Sequence, residues 1–109
     1  RDLVHGTSSR FHGLLHSGAR YAVVDPRAAA ECAREGAIIK RILPQCVDDC
    51  GGLFVAVPGD DPDYISAFPE YCAAAGVDCR AVDPVAARAL EPALARDITA
   101  VYASPVATM

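Results

Sequence analysis

Three Asp-Pro pairs punctuate this sequence, at Asp25-Pro26, Asp61-Pro62 and Asp83-Pro84, and each restricts what can follow it. An aspartate accepts a hydrogen bond from the open backbone N–H groups of a first helical turn, and proline is tolerated at the first helical position because its missing N–H is not needed there. The first pair predicts a helix to about Leu43. Ala29, Cys32, Ala33, Gly36, Ile39 and Leu43 recur on one side of it, and Arg27, Glu31, Arg34 and Arg41 on another. Pro44 ends it, since an interior proline costs about 3 kcal/mol. The second pair, in Asp60-Asp61-Pro62, predicts a helix from about Asp63 to Ala75, closed by Gly76. Pro69 lies inside that helix and is expected to kink or split it. The third pair starts a helix that ends at Glu91-Pro92.

Between these helices lie apolar runs of strand length. Leu53–Val57 is entered through Gly51-Gly52 and left through Pro58-Gly59, which predicts a buried strand. Val77–Val82 and Ile98–Ala103 predict two more. The order is helix, strand, helix, strand, helix, strand, an alternation that often means a parallel sheet. With 52% hydrophobic residues in 109 and a mean hydropathy of +0.20, one domain with one core is the default.

Charge excludes some functions. The net charge is −4 and Lys40 is the single lysine, so the chain lacks the basic patch that a nucleic-acid binder needs. No run approaches the length of a membrane span, and no charged-then-apolar signal segment opens the sequence. The five cysteines include Cys46 and Cys50 in a C-x3-C spacing without a second pair or a suitably placed histidine, so neither a structural metal nor an iron–sulfur cluster is expected.

The remaining stretch, His5 to Tyr21, is too rich in glycine for a stable helix and too irregular for a buried strand. It reads as a binding loop. Gly6-Thr7-Ser8-Ser9 offers backbone N–H groups and hydroxyls to phosphate oxygens. Arg20-Tyr21 offers a guanidinium fork and a phenol to a small anion. His5, His12 and His16 stand seven and four residues apart with no carboxylate between them, which disfavours a metal site. A histidine titrates near neutrality, which gives the loop candidate proton acceptors, His5 and His12 being the weaker ones.

The loop resembles a segment of the FAD-dependent glycerol-3-phosphate dehydrogenases, within the D-amino-acid-oxidase-like flavoproteins. Thr7-Ser8-Ser9 matches a stretch that crosses the flavin in that family, and His16-Ser17-Gly18-Ala19-Arg20-Tyr21 matches one that reaches the substrate phosphate. Where the homodimeric branch has S-S-K-L-(I/V)-H-G-G-L-R-Y, this chain has F-H-G-L-L-H-S-G-A-R-Y, which is similar to the anaerobic, quinone-linked, multi-subunit branch. Gly52-Leu53-Phe54 and Asp83-Pro84…Ala87-Arg88…Leu90-Glu91-Pro92 extend the resemblance less specifically.

The resemblance implies an α+β fold with a small mixed sheet in which Leu53–Val57 and Ile98–Ala103 are neighbours. It implies a flavin- and substrate-binding loop over residues 1–21 and part of the substrate-binding domain over residues 22–109. FAD would contact Thr7, Ser8, Ser9, Gly13 and Leu14, the substrate phosphate would meet Arg20 and Tyr21, and His16 would take the proton. The parent enzyme would pass electrons to quinone in a complex with other subunits, in the cytoplasm at the inner face of the membrane. The chain opens at Arg1, without an initiator methionine or a G-x-G-x-x-G fingerprint, and is read as an internal fragment. As such it is expected to be inactive and flavin-free, with a loop poorly anchored without its ligand and with apolar surface open to self-association. Two alternatives stay open: an FAD-dependent oxidoreductase acting on a 2-hydroxy or amino acid, with Arg20 on a carboxylate, and a non-catalytic interaction module.

Overall fold

The computed structural model describes residues 6–7 and 10–109. All three Asp-Pro pairs start helices: α1 (Pro26–Ile42), α2 (Pro62–Ala74) and α3 (Pro84–Leu90). Asp25 Oδ1 accepts from Ala28 N at 3.0 Å and Asp61 Oδ1 from Asp63 N at 2.9 Å. Asp83 Oδ2 accepts from both Val85 N and Ala86 N, at 3.0 and 3.1 Å. On α1 the expected inward face is observed as far as Ile39, whereas Leu43, at the C-cap, is 40% exposed. Ala29 and Gly36 are buried, while Arg27, Glu31, Arg34 and Arg41 face solvent.

Pro69 does not split α2, which runs unbroken from Pro62 to Ala74; of the expected kink or split, the split does not occur. A proline deprives the carbonyl four residues earlier of its donor. That carbonyl is Ile65 O, and the Tyr102 hydroxyl donates to it at 3.1 Å. A side chain from the sheet thus replaces the missing helical bond. The same tyrosine ring packs on Phe68, with centroids 5.5 Å apart, so both contacts hold the turn of helix that precedes the proline.

Strands β2 (Gly52–Ala56), β3 (Arg80–Val82) and β4 (Ala100–Ser104) form a sheet in the order β2-β4-β3. Phe54 pairs with Tyr102 and Val55 with Val101 on one side of β4, and Ala81 pairs with Tyr102 on the other. The two strands that the resemblance makes neighbours are neighbours. Both pairings are antiparallel, so the α+β class holds while the parallel sheet suggested by alternation and the mixed sheet implied by the resemblance do not. The α3 helix has seven residues, about 10 Å, and Val82 ends β3 opposite Val101 near the start of β4. The chain therefore re-enters at the end where it left and must run back. β3 is also shorter than expected, because Val77 N closes the end of α2 on Cys72 O at 2.9 Å and delays the strand.

The sheet is covered on both faces. Phe54 and Tyr102 pack with Phe68, Cys72, Ala75, Val77, Ala29, Ala22 and Ala19. Leu53, Val55 and Val82 pack with Val101, Ile98 and Ala87 beneath α3. A second small sheet pairs β1 (Leu14–Leu15) with β5 (Ala107–Thr108), also antiparallel. Thr108 also bridges Asp48, and Met109 N donates to Gly13 O at 2.8 Å, so the loop is tied to residues from the far end of the sequence. Lys40 Nζ reaches Asp49 Oδ1 at 2.6 Å and Pro105 O at 3.4 Å, joining α1 to the turn between β4 and β5.

The bond from Tyr102 yields a coupled prediction. Tyr102→Phe should destabilise the chain by about 1–2 kcal/mol in urea unfolding, because Ile65 O loses its donor. In a Pro69→Ala background the restored N–H should reduce that cost to a few tenths; equal losses in both backgrounds would refute the substitution of one donor for the other.

Candidate functional site

The C-terminal half of the binding loop is built from the inside outwards. Gly18 adopts φ +96°, and a Cβ there would run into the Ala29 carbonyl of α1, so this backbone can lie directly on the helix because it has no side chain. Ala19 follows, fully buried in the core, and opens a single 3-10 turn, Ala19–Tyr21. Ser17 is buried too; its Oγ accepts from Ala19 N at 3.3 Å and lies 2.8 Å from Ser104 Oγ at the end of β4. Ser104 Oγ donates to Asp78 O at 3.0 Å. The expectation of a poorly anchored loop is therefore corrected for its Ser17–Ala19 portion. Neither hydroxyl announces itself in the sequence, because their contact spans 87 positions.

From this base two side chains are displayed. Arg20 is exposed and, among the described residues, forms no ion pair. It borders a cavity of about 470 Å³ with Phe54, Tyr64, Phe68, Tyr102, Asp60 and Asp61. Both carboxylates on that rim are occupied by backbone caps, Asp60 Oδ2 accepting from Val57 N at 2.8 Å and Asp61 Oδ1 from Asp63 N. Sequence reading missed this aromatic wall, although Phe54 and Tyr102 alternate along their strands with residues that pack under α3. Tyr21 sits beside Arg20, 38% exposed.

His16 is half-buried and stacks edge-on against His12, with ring centroids 5.0 Å apart. Burial lowers its pKa below the ordinary 6.5, and the nearby His12 and Arg20 charges push the same way. The neutral, proton-accepting ring is therefore favoured at neutral pH. His16 borders a different and smaller cavity, of about 170 Å³, between the loop, α1 and Gly76–Asp78. His16 and Arg20 influence each other electrostatically, yet they open on separate hollows.

The other candidates fall as follows. Thr7 is exposed, and its carbonyl accepts from Arg10 N at 3.0 Å in a turn. Ser8, Ser9 and His5 lie outside the described residues. Gly13 takes φ +75° and Leu14 begins β1, 41% exposed. His12 Nδ1 accepts from Leu14 N at 3.0 Å, a structural role. Of the cysteines, Cys72 is fully buried and its thiol is pushed up to about 12, chiefly by that burial, so it packs as a protonated side chain.

With that geometry in place, comparison with known proteins becomes informative. The profile of the FAD dependent oxidoreductase family matches residues 1–108. The chain belongs to that family. It is 45% identical over 105 residues to the A subunit of the anaerobic glycerol-3-phosphate dehydrogenase of Haemophilus influenzae, covering 96% of this chain and 19% of that protein. It is 47% identical over 93 residues to the protein of the same name from Escherichia coli K12, covering 85% of this chain and 17% of that protein. The A1 subunit of the Haloferax volcanii anaerobic glycerol-3-phosphate dehydrogenase is 45% identical over 97 residues, which cover 89% of this chain and 17% of that protein. The chain thus spans about a fifth of the length of the curated relatives it matches.

This FAD-dependent oxidoreductase segment carries exposed apolar side chains at Phe11, 56% exposed, and Leu14, 41% exposed, which flank Gly13 in the sequence; the Gly13 carbonyl accepts from Met109 N. Such a surface suits the edge of a flat ring. Glycine at position 13 keeps the chain low, with φ +75° and the Met109 carbonyl 3.4 Å from where a Cβ would stand. Of the expected flavin contacts, Gly13 and Leu14 stand at this surface.

Gly18→Ala tests the base of this site. The added Cβ meets backbone, and an L side chain is strained at this φ, so unfolding should show a loss of about 2–4 kcal/mol. A variant as stable as the parent would mean that the loop does not lie on α1.

Proposed function

We propose that the protein carrying this chain oxidises sn-glycerol 3-phosphate to dihydroxyacetone phosphate, with FAD accepting the hydride from carbon 2 and passing electrons on to quinone. The chain's own residues bind, orient and deprotonate. Arg20, without a carboxylate partner and projecting from a buried base, holds the phosphate through paired charge-assisted hydrogen bonds, and the Tyr21 phenol adds a third. The observation that carries this reading is that Arg20 stays exposed and, among the described residues, forms no ion pair, while its immediate predecessor is fully buried. A cation fixed in position but left open is what orienting a small dianion requires.

Thr7, Ser8, Ser9, Gly13 and Leu14 line the flavin side of the loop in this proposal, with residues 1–21 as the binding loop and residues 22–109 as part of the substrate-binding domain. His16, kept neutral by burial, takes the proton of the substrate hydroxyl as the hydride departs. Its opening on a hollow apart from Arg20 requires a ring movement or one intervening water for that transfer. The relatives are each named as one subunit of a dehydrogenase, which supports assembly with other subunits. In this reading that assembly sits at the inner, cytoplasmic face of the membrane. Among the described residues no helix is long and apolar enough to cross a membrane. Val24, Val85 and Leu90, at 76%, 66% and 73% exposure, supply apolar surface for partner subunits or for a second copy.

Arg20→Ala in the intact enzyme should raise KM for sn-glycerol 3-phosphate about 10- to 100-fold, the value of one charged hydrogen-bond donor set, while FAD content stays unchanged. Unaltered KM would remove Arg20 from the site. For the base, kcat/KM should fall on the acid side with a midpoint below 6.5, where the lowered pKa of His16 places its protonation. His16→Gln should abolish that limb along with most of the rate; an identical limb in the variant would assign the proton to another group.

A further inference from the structure

Ser17 and Ser104 are the two buried polar residues among those described, and they meet. A carbonyl accepts and cannot donate, so Asp78 O takes the Ser104 proton, and Ser104 Oγ is left to accept the Ser17 proton at 2.8 Å. Ser17 Oγ in turn accepts from Ala19 N at 3.3 Å. All the donors therefore point one way, from the first amide of the 3-10 turn, through two hydroxyls, to the segment that follows α2. Reversing the bond between the two buried hydroxyls would take the Ser104 proton from Asp78 O and leave the Ser17 proton without its acceptor.

We infer that Ser104, at the end of β4, is a positioning residue for the substrate site: through Ser17 it sets the orientation of the 3-10 turn that presents Arg20 and of the adjoining His16. The inference rests on the proposed role of Arg20 and adds a residue remote from it in sequence. Gly18 and Ala19 fix where the loop lies, on α1 and in the core. The far end of the turn is tied to the α1 N-cap by Asp25 N, which donates to Tyr21 O at 2.8 Å, and by the buried Ala22. The hydroxyl pair adds a side-chain link from the near end of the turn to β4 of the sheet.

Ser104→Ala tests this with two readouts. In the intact enzyme, KM for sn-glycerol 3-phosphate should rise about tenfold with kcat changed less and FAD content unaltered, since misplacing the guanidinium weakens its grip on the phosphate. In the chain itself, the His16 ring, followed by NMR titration, should move towards the ordinary histidine value as its fixed surroundings loosen. Ser104→Thr, which keeps the hydroxyl on a strand-favouring residue, should restore both. Should Ser104→Ala fail to fold, Ser17→Ala/Ser104→Ala, which removes both hydroxyls together, takes its place with the same two readouts expected. Unchanged KM together with an unchanged His16 titration would overturn the inference and leave Ser104 a packing residue. A shifted titration with KM unaffected by either Ser104→Ala or Arg20→Ala would instead uphold the positioning of the loop and refute the substrate role of Arg20.

Discussion

Strand β4 is paired on both sides, and its few residues fasten the elements around it. Val101 is buried beneath α3, Tyr102 supplies Ile65 of α2 with the donor that Pro69 lacks, and Ser104 meets Ser17 of the binding loop. A central antiparallel strand has its backbone groups satisfied by its neighbours and little freedom to slip, because a one-residue shift would exchange its two faces. The helices and the loop thus take their places from one short ladder.

The binding loop combines confinement with display. Ser17, Gly18 and Ala19 are enclosed by α1, the sheet and one another, whereas Arg20 and Tyr21 emerge from the next residues. A long cation on a mobile segment would lose much side-chain and backbone freedom on binding an anion; one carried by a buried turn loses less. Asp60 and Asp61, which border the same hollow, each engage one carboxylate oxygen in a backbone cap, accepting from Val57 N and Asp63 N.

Much of the architecture can be read locally. Each Asp-Pro pair carries its cap and its helix start within a few residues, and the glycines around Leu53–Val57 bound a strand that forms within one residue of the expected range. Strand direction is different in kind: alternation of elements says nothing about which strand is central, and β4 is the last of the three in sequence. Pro69 shows how tertiary contact overrides a local rule, because the donor that preserves α2 comes from Tyr102, 37 residues from the carbonyl it serves. The loop's histidines, hydroxyls and Arg-Tyr pair were legible as chemistry through motif resemblance. Its anchoring was not, since Ser104, Ala29 and Thr108 lie far along the chain.

Membership of the FAD-dependent oxidoreductases gives the loop a chemical setting, and in the proposed function Arg20, exposed and without an ion pair among the described residues, is what distinguishes a phosphorylated substrate. The most direct measurement is anaerobic reduction of the flavin in the intact protein by candidate alcohols. The account predicts that sn-glycerol 3-phosphate bleaches the oxidised flavin and that glycerol at the same concentration does not. Equal bleaching by the unphosphorylated alcohol, or none by the phosphate ester, would contradict it.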